Sequence, residues 1–201
     1  TRVADVKSYM DVFNTISTFK YPGELGCLLS HLICYIDAHE KKYTTIIVLE
    51  DDCKPILDLN TRFTQCLSSI IDKRYVYLGA SQYTWLDEFV YHPYYYNAWR
   101  TCGTFAIYIH KELFPLLIKD CKEMLLRVDW IPWNYYNTVP DSFDTPNPYY
   151  GINKESVYYG KCIVLYPNLF IADVSNSNIR EGQDMKTRSK LMKWDLKLYD
   201  L

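Results

Sequence analysis

Apolar residues recur along the chain with two different spacings, which predict alternating helices and strands. Over 25–36 the apolar positions repeat every three or four residues, so we predict a helix from about Pro22 to His39. The segment 44–49 is short, β-branched and apolar on both faces. This pattern predicts a buried strand of a parallel or mixed sheet.

The same spacings in the rest of the chain predict further helices and strands. The other predicted elements are the end of a strand at 3–6, helices over 60–72, 110–126 and 187–199, and strands over 75–78, 104–109, 161–166 and 169–172. Irregular stretches at 80–100 and 130–160 interrupt them. Strands that alternate with helices predict one layered α/β domain over residues 1–201, with helices on both faces of a single sheet.

Composition and charge exclude several classes of protein. Of 201 residues, 49% are hydrophobic and 23% are charged, which is ordinary for a folded domain and excludes a disordered, coiled-coil or collagen-like chain. A net charge of −2 excludes a strongly basic nucleic-acid binder, since phosphate neutralisation needs clustered Lys and Arg. The longest apolar runs fall far short of the ~20 residues that a membrane span needs, so we expect no transmembrane segment.

Aromatic content is the unusual feature of the composition. Twenty Tyr, eight Phe and five Trp make up 16% of the chain. Tyr and Trp offer flat amphipathic faces that suit sugars, bases and protein partners. A composition bias with many half-buried tyrosines explains the same number without a ligand.

The seven cysteines are scattered and show neither a CxxC pair nor the spacing of a zinc site. An odd number at wide intervals is typical of free buried thiols rather than of a disulfide framework. The compartment stays open, and the cysteines favour a reducing one such as the cytoplasm.

Three carboxylates, Glu50, Asp51 and Asp52, follow the predicted strand directly. Ligands of open α/β sheets bind beyond the carboxyl ends of the strands, and hard oxygen donors there suit Mg²⁺ or Mn²⁺. The alternative is a solvated acidic loop, or an Asp that caps a turn before Pro55.

The residues around this triplet resemble a known family. The block GELGCLLSH at 23–31, followed by a strand that ends in EDD at 50–52, resembles glycosyltransferase family 25, which includes lipopolysaccharide sugar transferases and collagen galactosyltransferases. Weaker likenesses follow at 103–109, 128–129 and 166–167, so the resemblance spans about residues 20–175.

The resemblance implies a GT-A-like fold, with a mixed, mostly parallel sheet flanked by helices on both faces. It also implies inverting transfer of a hexose from a nucleotide sugar, commonly UDP-galactose or UDP-glucose, to a hydroxyl of a glycan or protein. Mn²⁺ or Mg²⁺ at Glu50, Asp51 and Asp52 would bind the diphosphate. Asp129 is our candidate for the base that deprotonates the acceptor, and a helix cap or surface acid is the alternative.

Two further groups of residues complete the predicted site. The nucleotide sugar is expected to contact Gly23, Gly26, His31, Arg100, Gly103 and Thr104. The expected acceptor platform is Tyr83, Trp85, Trp130 and Trp133. Each has a structural alternative: His31 as a hydrogen-bonded core residue, the glycines of the first block as a simple turn, Arg100 as a surface charge, and the aromatic loop as a segment packed on itself.

One part of the family pattern is missing. Family members begin with an apolar strand that helps to hold the nucleotide, and nothing like it precedes Thr1. We therefore expect a single glycosyltransferase-like domain whose first strand either lies outside this chain or is absent from the protein. The missing strand favours the alternative function, a non-catalytic module that binds a glycan or a protein.

Overall fold

The structure is a computed structural model that describes residues 19, 21–83, 85, 92–124, 126–132, 135, 156–174 and 184–199. The predicted strand end at 3–6 and the predicted platform residue Trp133 lie outside the described residues. Within them no helix is long and apolar enough to cross a membrane.

Helices and strands follow one another along the chain in the predicted α/β order. The helices are α1 (Pro22–Glu40), α2 (Leu59–Ile70), α3 (Phe114–Glu123) and α4 (Met185–Met192), with 3₁₀ turns at Lys111–Leu113 and Leu196–Leu198. The strands are β1 (Thr45–Leu49), β2 (Cys53–Pro55), β3 (Tyr75–Gln82), β4 (Tyr95–Asn97), β5 (Thr101–His110), β6 (Cys162–Leu165) and β7 (Phe170–Ala172).

The main sheet has the strand order β1-β5-β3-β6-β4, and β2 pairs with β7 in a separate ribbon. Among the described strands of the main sheet, β3 and β6 are the only parallel neighbours, and the other three pairings are antiparallel. The predicted mostly parallel sheet is therefore wrong. A strand that is apolar on both faces needs cover on both faces, but this requirement does not fix the direction of the strand. The buried interior strand β5, for example, is antiparallel to both of its neighbours.

Helices cover both faces of this sheet, as predicted. Alternate residues of β3 and β5 point to opposite sides, as the pleat of a strand requires. On one side Tyr77 and Ile107 belong to the same apolar cluster as residues of α1 and α3. On the other side Val76 and Tyr108 join residues of α2 and α4. The domain thus has two apolar layers separated by the sheet.

Strand β1 lies at the edge of the main sheet, which corrects its predicted burial. Within the described chain it pairs with β5 alone. The side chains of Ile47 and Leu49 are 47% and 49% exposed, although both were expected to be buried.

Several predicted boundaries also move. Strand β3 continues through Gly79. A Cβ at this position would clash with the Phe170 carbonyl oxygen, so the glycine permits close approach of the two backbones instead of ending the strand. Pro115 lies in the first turn of α3, where a proline is tolerated. Helix α3 therefore begins after the 3₁₀ turn and not at residue 110. The tail helix α4 ends at Met192 rather than at Tyr199, because Lys193 adopts a left-handed conformation with φ 55°.

Candidate functional site

The carboxyl ends of β1 and β3 lie at the same edge of the main sheet. Both strands are antiparallel to β5, so the beginning of β5 meets the ends of its two neighbours. Glu50 leaves β1 at this edge, and its backbone N–H donates to the Phe105 carbonyl at 2.8 Å. The acidic triplet therefore lies beside the first residues of β5, at the edge where α/β proteins commonly bind ligands.

One oxygen of Glu50 connects three separate segments of the chain. Its Oε1 lies 3.0 Å from His31 Nε2 and 2.8 Å from Thr104 Oγ1. The Cys27 thiol is 3.6 Å from the same oxygen. Predicted residues from α1, from the end of β1 and from the beginning of β5 thus form one hydrogen-bonded cluster.

The helical spacing of α1 explains why Cys27 and His31 meet the same carboxylate. Residues four apart lie one turn apart on the same face of a helix. His31 is only 2% exposed, and its Nδ1 lies 3.1 Å from the Tyr35 hydroxyl. The imidazole is therefore a buried, hydrogen-bonded group, and its observed role is to hold Glu50.

The surroundings of Glu50 and Cys27 shift the pKa values of these two groups in opposite directions. Burial alone would raise the pKa of Glu50, but hydrogen bonds from His31, Thr104 and Cys27, together with the charge of His31, outweigh burial and lower that pKa below its ordinary 4.5. Burial raises the pKa of Cys27, and the charges of Glu50 and Asp129 raise it further. At neutral pH the cluster holds a carboxylate and a protonated thiol.

The other two acids of the triplet lie in the turn after Glu50. The Asp51 side chain is exposed and that of Asp52 is half-buried. The Asp52 carbonyl accepts a hydrogen bond of 2.8 Å from the Asp173 backbone N–H, and the β2–β7 ribbon continues from this point. The turn is thus attached to the end of β7, which brings a further acid, Asp173, to the acidic turn. The Asp173 carboxylate also lies 3.8 Å from Lys54 Nζ.

Asp129 lies near enough to Cys27 for the two to interact electrostatically. Its negative charge contributes to the raised pKa of that thiol. The segment that carries it is attached to the start of α1 by an ion pair between Arg127 and the buried Glu24, at 3.3 Å. The guanidinium of Arg127 also lies 4.8 Å from the centre of the Trp130 ring, so that ring packs against a cation.

The remaining predicted donor residues differ in their surroundings. Gly23 and Gly26 are exposed in the first turns of α1, and a Cβ at Gly26 would meet nothing within 4 Å. Gly103 has φ +88°, and a Cβ there would lie 2.7 Å from the Phe105 ring. Arg100 is half-buried, with its guanidinium 5.5 Å from the Trp99 ring centre. The structure thus brings Thr104, beside Gly103, to the Glu50 cluster and places Arg100 against an aromatic ring.

A cavity of about 260 Å³ lies near the carboxyl ends of β3 and β6, and we call it the aromatic pocket. Its lining includes Gln82, Trp85, Tyr96, Tyr166, Asn168, Lys193, Trp194 and Asp195. The Trp85, Tyr96 and Tyr166 rings pack against one another at centroid distances from 5.9 to 6.5 Å. Lys193 Nζ lies 4.3 Å from the Trp85 ring centre.

The structure divides the predicted acceptor platform. Trp85 lines the aromatic pocket, whereas Trp130 packs on Arg127 near the start of α1. The Tyr83 hydroxyl accepts a 2.6 Å hydrogen bond from Arg188 of α4. Sequence reasoning did not assign the tail residue Trp194 to a site; the only signal was a basic, aromatic tail, and the contact depends on how the tail folds back.

Comparison with known proteins supports the resemblance over the first half of the chain. Residues 14–104 match the model of glycosyltransferase family 25 (LPS biosynthesis protein). This range contains α1, β1, the acidic turn and the beginning of β5, and so every member of the Glu50 cluster. No curated protein and no solved structure matches the chain.

Proposed function

Because residues 14–104 match glycosyltransferase family 25, we propose that this protein transfers a hexose from a nucleotide sugar to a hydroxyl group of a glycan or protein acceptor. The observation that carries the proposal is the convergence of the matched segments on one carboxylate, Glu50, at the sheet edge. The resemblance makes UDP-galactose and UDP-glucose the first donors to test, and it implies an inverting, single-displacement reaction on a GT-A-like fold.

We assign a divalent ion, Mn²⁺ or Mg²⁺, to the acidic turn formed by Glu50, Asp51 and Asp52. The donor set is hard oxygen, which fits such an ion, and the turn is attached to β7 through the Asp52 carbonyl. Glu50 Oε1 already contacts three neighbours, so Glu50 orients the turn and Asp52 is the ligand to test. When bound, the ion would stabilise the departing nucleoside diphosphate as a Lewis acid.

The donor would lie along the edge between the first turns of α1 and the beginning of β5. The amino-terminal end of a long helix favours negative groups such as phosphate. The open space beside Gly26 leaves room for close approach of a ligand to the helix. Thr104, next to Gly103, reaches the same edge from the beginning of β5. Arg100, just before β5, is the cation that we assign to the donor.

Asp129 is the base that we propose for the acceptor hydroxyl. A single displacement needs one carboxylate that removes the proton as the acceptor oxygen attacks the anomeric carbon. Asp129 approaches the Glu50 cluster closely enough for its charge to affect Cys27. The Glu24–Arg127 ion pair holds its segment against α1, so the position of this acid depends on the first matched motif.

We propose that the aromatic pocket binds the sugar of the acceptor. The apolar faces of sugar rings stack on Trp and Tyr, and Trp85, Tyr166 and Trp194 supply such faces here. Lys193 and Asp195 at the same pocket offer a donor and an acceptor of hydrogen bonds to sugar hydroxyls. Trp130, which packs on Arg127, is the second candidate surface.

A thermal-shift screen tests the transferase proposal. The full chain is melted with UDP-galactose, UDP-glucose and other nucleotide sugars, each with Mn²⁺ and with a chelator. We expect one donor to raise the melting temperature only with Mn²⁺, since a ligand at 100 times its Kd stabilises a fold by about 2.7 kcal/mol. Asp52→Asn should abolish this shift, and Asp58→Asn, a substitution at an exposed acid before α2, should preserve it.

Two results would overturn the proposal. The first is that no donor shifts the melting temperature under any metal condition. The second is that the shift is equal in Asp52→Asn and in the unchanged protein. If a glycan alone stabilises the protein, and does so equally with chelator, the protein is instead a glycan-binding module that uses the aromatic pocket.

A further inference from the structure

Three different metal-binding side chains meet at the sheet edge. Cys27 Sγ, His31 Nε2 and a carboxylate oxygen of Glu50 all lie within 4.8 Å of one another. We propose that this trio, which we call the thiol cluster, is a binding site for Zn²⁺. Its ligands on α1 are distinct from Asp51 and Asp52, the acids of the turn that remain for Mn²⁺ or Mg²⁺, and Glu50 lies between the two sites.

Two of the three distances within the cluster are close to the edges of a tetrahedral zinc site. With Zn–N, Zn–O and Zn–S bonds of about 2.0 to 2.3 Å, ligand atoms of a tetrahedron lie ~3.3 to 3.7 Å apart. Here the nitrogen–oxygen distance is 3.0 Å and the sulfur–oxygen distance is 3.6 Å. Cys27 Sγ and His31 Nε2, the third pair, lie within 4.8 Å of each other, so side-chain movements of about 1 Å would place all three atoms around one ion.

Regular elements hold the three ligands, and outer hydrogen bonds orient two of them. Cys27 and His31 lie one turn apart on α1, and Glu50 follows β1 directly. The second ring nitrogen of His31 lies 3.1 Å from the Tyr35 hydroxyl, and Thr104 donates to Glu50. Partners of this kind fix the imidazole and carboxylate ligands of metal sites.

The chemistry of the trio selects Zn²⁺ over harder ions. A thiolate prefers Zn²⁺, whereas Mg²⁺ and Mn²⁺ prefer ligand sets of oxygen atoms. In the metal-free protein the Cys27 thiol donates to Glu50. Binding of Zn²⁺ replaces that proton with a zinc–sulfur bond and releases the proton to solvent.

The position of the thiol cluster leaves room for a fourth ligand. Glu50 is 29% exposed and Cys27 is half-buried, so a water molecule can reach the ion from the sheet edge. A bound Zn²⁺ would connect the start of α1 to the residue that begins the acidic turn. The ion would therefore hold α1 and the acidic turn in place at the sheet edge where we place the donor.

Cobalt titration tests the thiol cluster directly, with Co²⁺ as the spectroscopic substitute for Zn²⁺. The full chain, stripped of metal, is titrated with Co²⁺ in the absence of any nucleotide sugar. We expect a thiolate-to-cobalt charge-transfer band in the near ultraviolet that saturates at one equivalent and disappears when Zn²⁺ is added. Zn²⁺ should also raise the melting temperature of the unchanged protein.

Matched variants separate this site from other thiols and from the proposed transferase site. Cys27→Ser should abolish the cobalt band and the zinc-dependent melting shift, and Cys34→Ser should retain both, because Cys34 is an exposed thiol on the same helix. His31→Gln, which leaves the thiol in place, should weaken cobalt binding at least tenfold. Circular dichroism of the metal-free variants checks that they fold.

The absence of a thiolate band, or a band that persists in Cys27→Ser, would overturn the proposal. Asp52→Asn should leave the cobalt band unchanged. A failure of donor binding in Asp52→Asn and a failure of cobalt binding in Cys27→Ser are therefore independent results.

Discussion

His31 Nε2 lies 3.0 Å from Glu50 Oε1, which joins a buried imidazole of α1 to the carboxylate that follows β1. The two residues are 19 positions apart, and each belongs to a different part of the family-like pattern. Their contact makes the two patterns one structural unit. Changes at either residue should therefore alter the fold at the sheet edge as well as any chemistry there.

Removal of the Glu50 side chain should destabilise the protein. Glu50→Ala leaves the buried ring of His31 and the Thr104 hydroxyl without their acceptor, so we expect the free energy of unfolding to fall by about 2–3 kcal/mol. Urea denaturation measures this change. Glu123→Ala is the control, because Glu123 is exposed and its ion pair with Lys119 on one helix face should contribute less than about 0.5 kcal/mol. Equal losses in the two variants would contradict the role assigned to Glu50.

The same carboxylate should make stability depend on pH in a defined range. The pKa of Glu50 is lower in the folded protein than its ordinary value of 4.5, so the folded state binds this proton less readily than the unfolded state. The stabilisation is complete above pH 4.5 and is lost as the pH falls through the lower, folded-state pKa.

A comparison with Glu50→Gln isolates this contribution. The difference in unfolding free energy between the unchanged protein and this variant should be constant from neutral pH down to about 4.5 and should then shrink. Urea titrations at a series of pH values measure it. A difference that stays constant well below pH 4.5, or grows there, would show that Glu50 is not stabilised in its charged form.

Alanine substitutions at two glycines that we assign to the donor site should change the stability of the protein in opposite directions. Gly26 lies within α1 and a Cβ there meets nothing within 4 Å, so Gly26→Ala should stabilise the protein by about 1 kcal/mol. Gly103 has φ +88° and its Cβ would meet the Phe105 ring, so Gly103→Ala should destabilise by about 1–3 kcal/mol.

Donor affinity gives these variants a second readout. If the donor approaches α1 closely, Gly26→Ala should weaken donor binding although it stabilises the fold. If Gly26→Ala stabilises the protein and leaves donor affinity unchanged, the donor does not approach α1 at Gly26. A Gly103→Ala protein as stable as the unchanged one would contradict the strained geometry at the beginning of β5.

Arg188 should affect ligand binding in the aromatic pocket although it does not line that pocket. Its buried guanidinium donates to the Tyr83 hydroxyl at 2.6 Å and to Ser81 Oγ at 2.9 Å, which attaches α4 to the end of β3. The Lys193–Asp195 part of the pocket follows α4 directly. Arg188→Met should therefore lower the free energy of unfolding by about 2–4 kcal/mol and weaken glycan binding.

Lys186→Met is the matched control, because Lys186 is exposed on the same helix. It should leave both the unfolding free energy and glycan binding within about 0.5 kcal/mol of the unchanged protein. Normal glycan binding in Arg188→Met would show that the tail keeps its position without this contact.

The sequence predicts local elements well, because their signals are local. The three- and four-residue spacing over α1 and Pro22 in its first turn place this helix to within a residue at each end. The alternation of the side chains of β3 and β5 between the two faces of the sheet follows from strand geometry alone. The close approach at Gly79 depends on Phe170, which is distant in sequence, so no local pattern distinguishes this glycine from a strand end.

The site was predictable in part for the same reason. Cys27, His31 and Glu50 belong to patterns that the sequence displays, and the structure brings them together. Cysteine spacing alone does not indicate the thiol cluster, because two of its three ligands are not cysteines and one lies on a different element. The aromatic pocket depends on the path of the tail, which brings Trp194 to Ala80, and that contact between distant residues has no local signal.

Titration calorimetry of the nucleotide sugar from the thermal-shift screen tests the central claim, a metal-dependent donor site at the acidic turn, most directly. With Mn²⁺ the unchanged protein and Asp58→Asn should bind the donor at one site. The chelator, or Asp52→Asn, should weaken binding at least tenfold, which corresponds to about 1.4 kcal/mol. Equal affinity with Mn²⁺ and with chelator, or equal affinity in Asp52→Asn, would contradict the assignment.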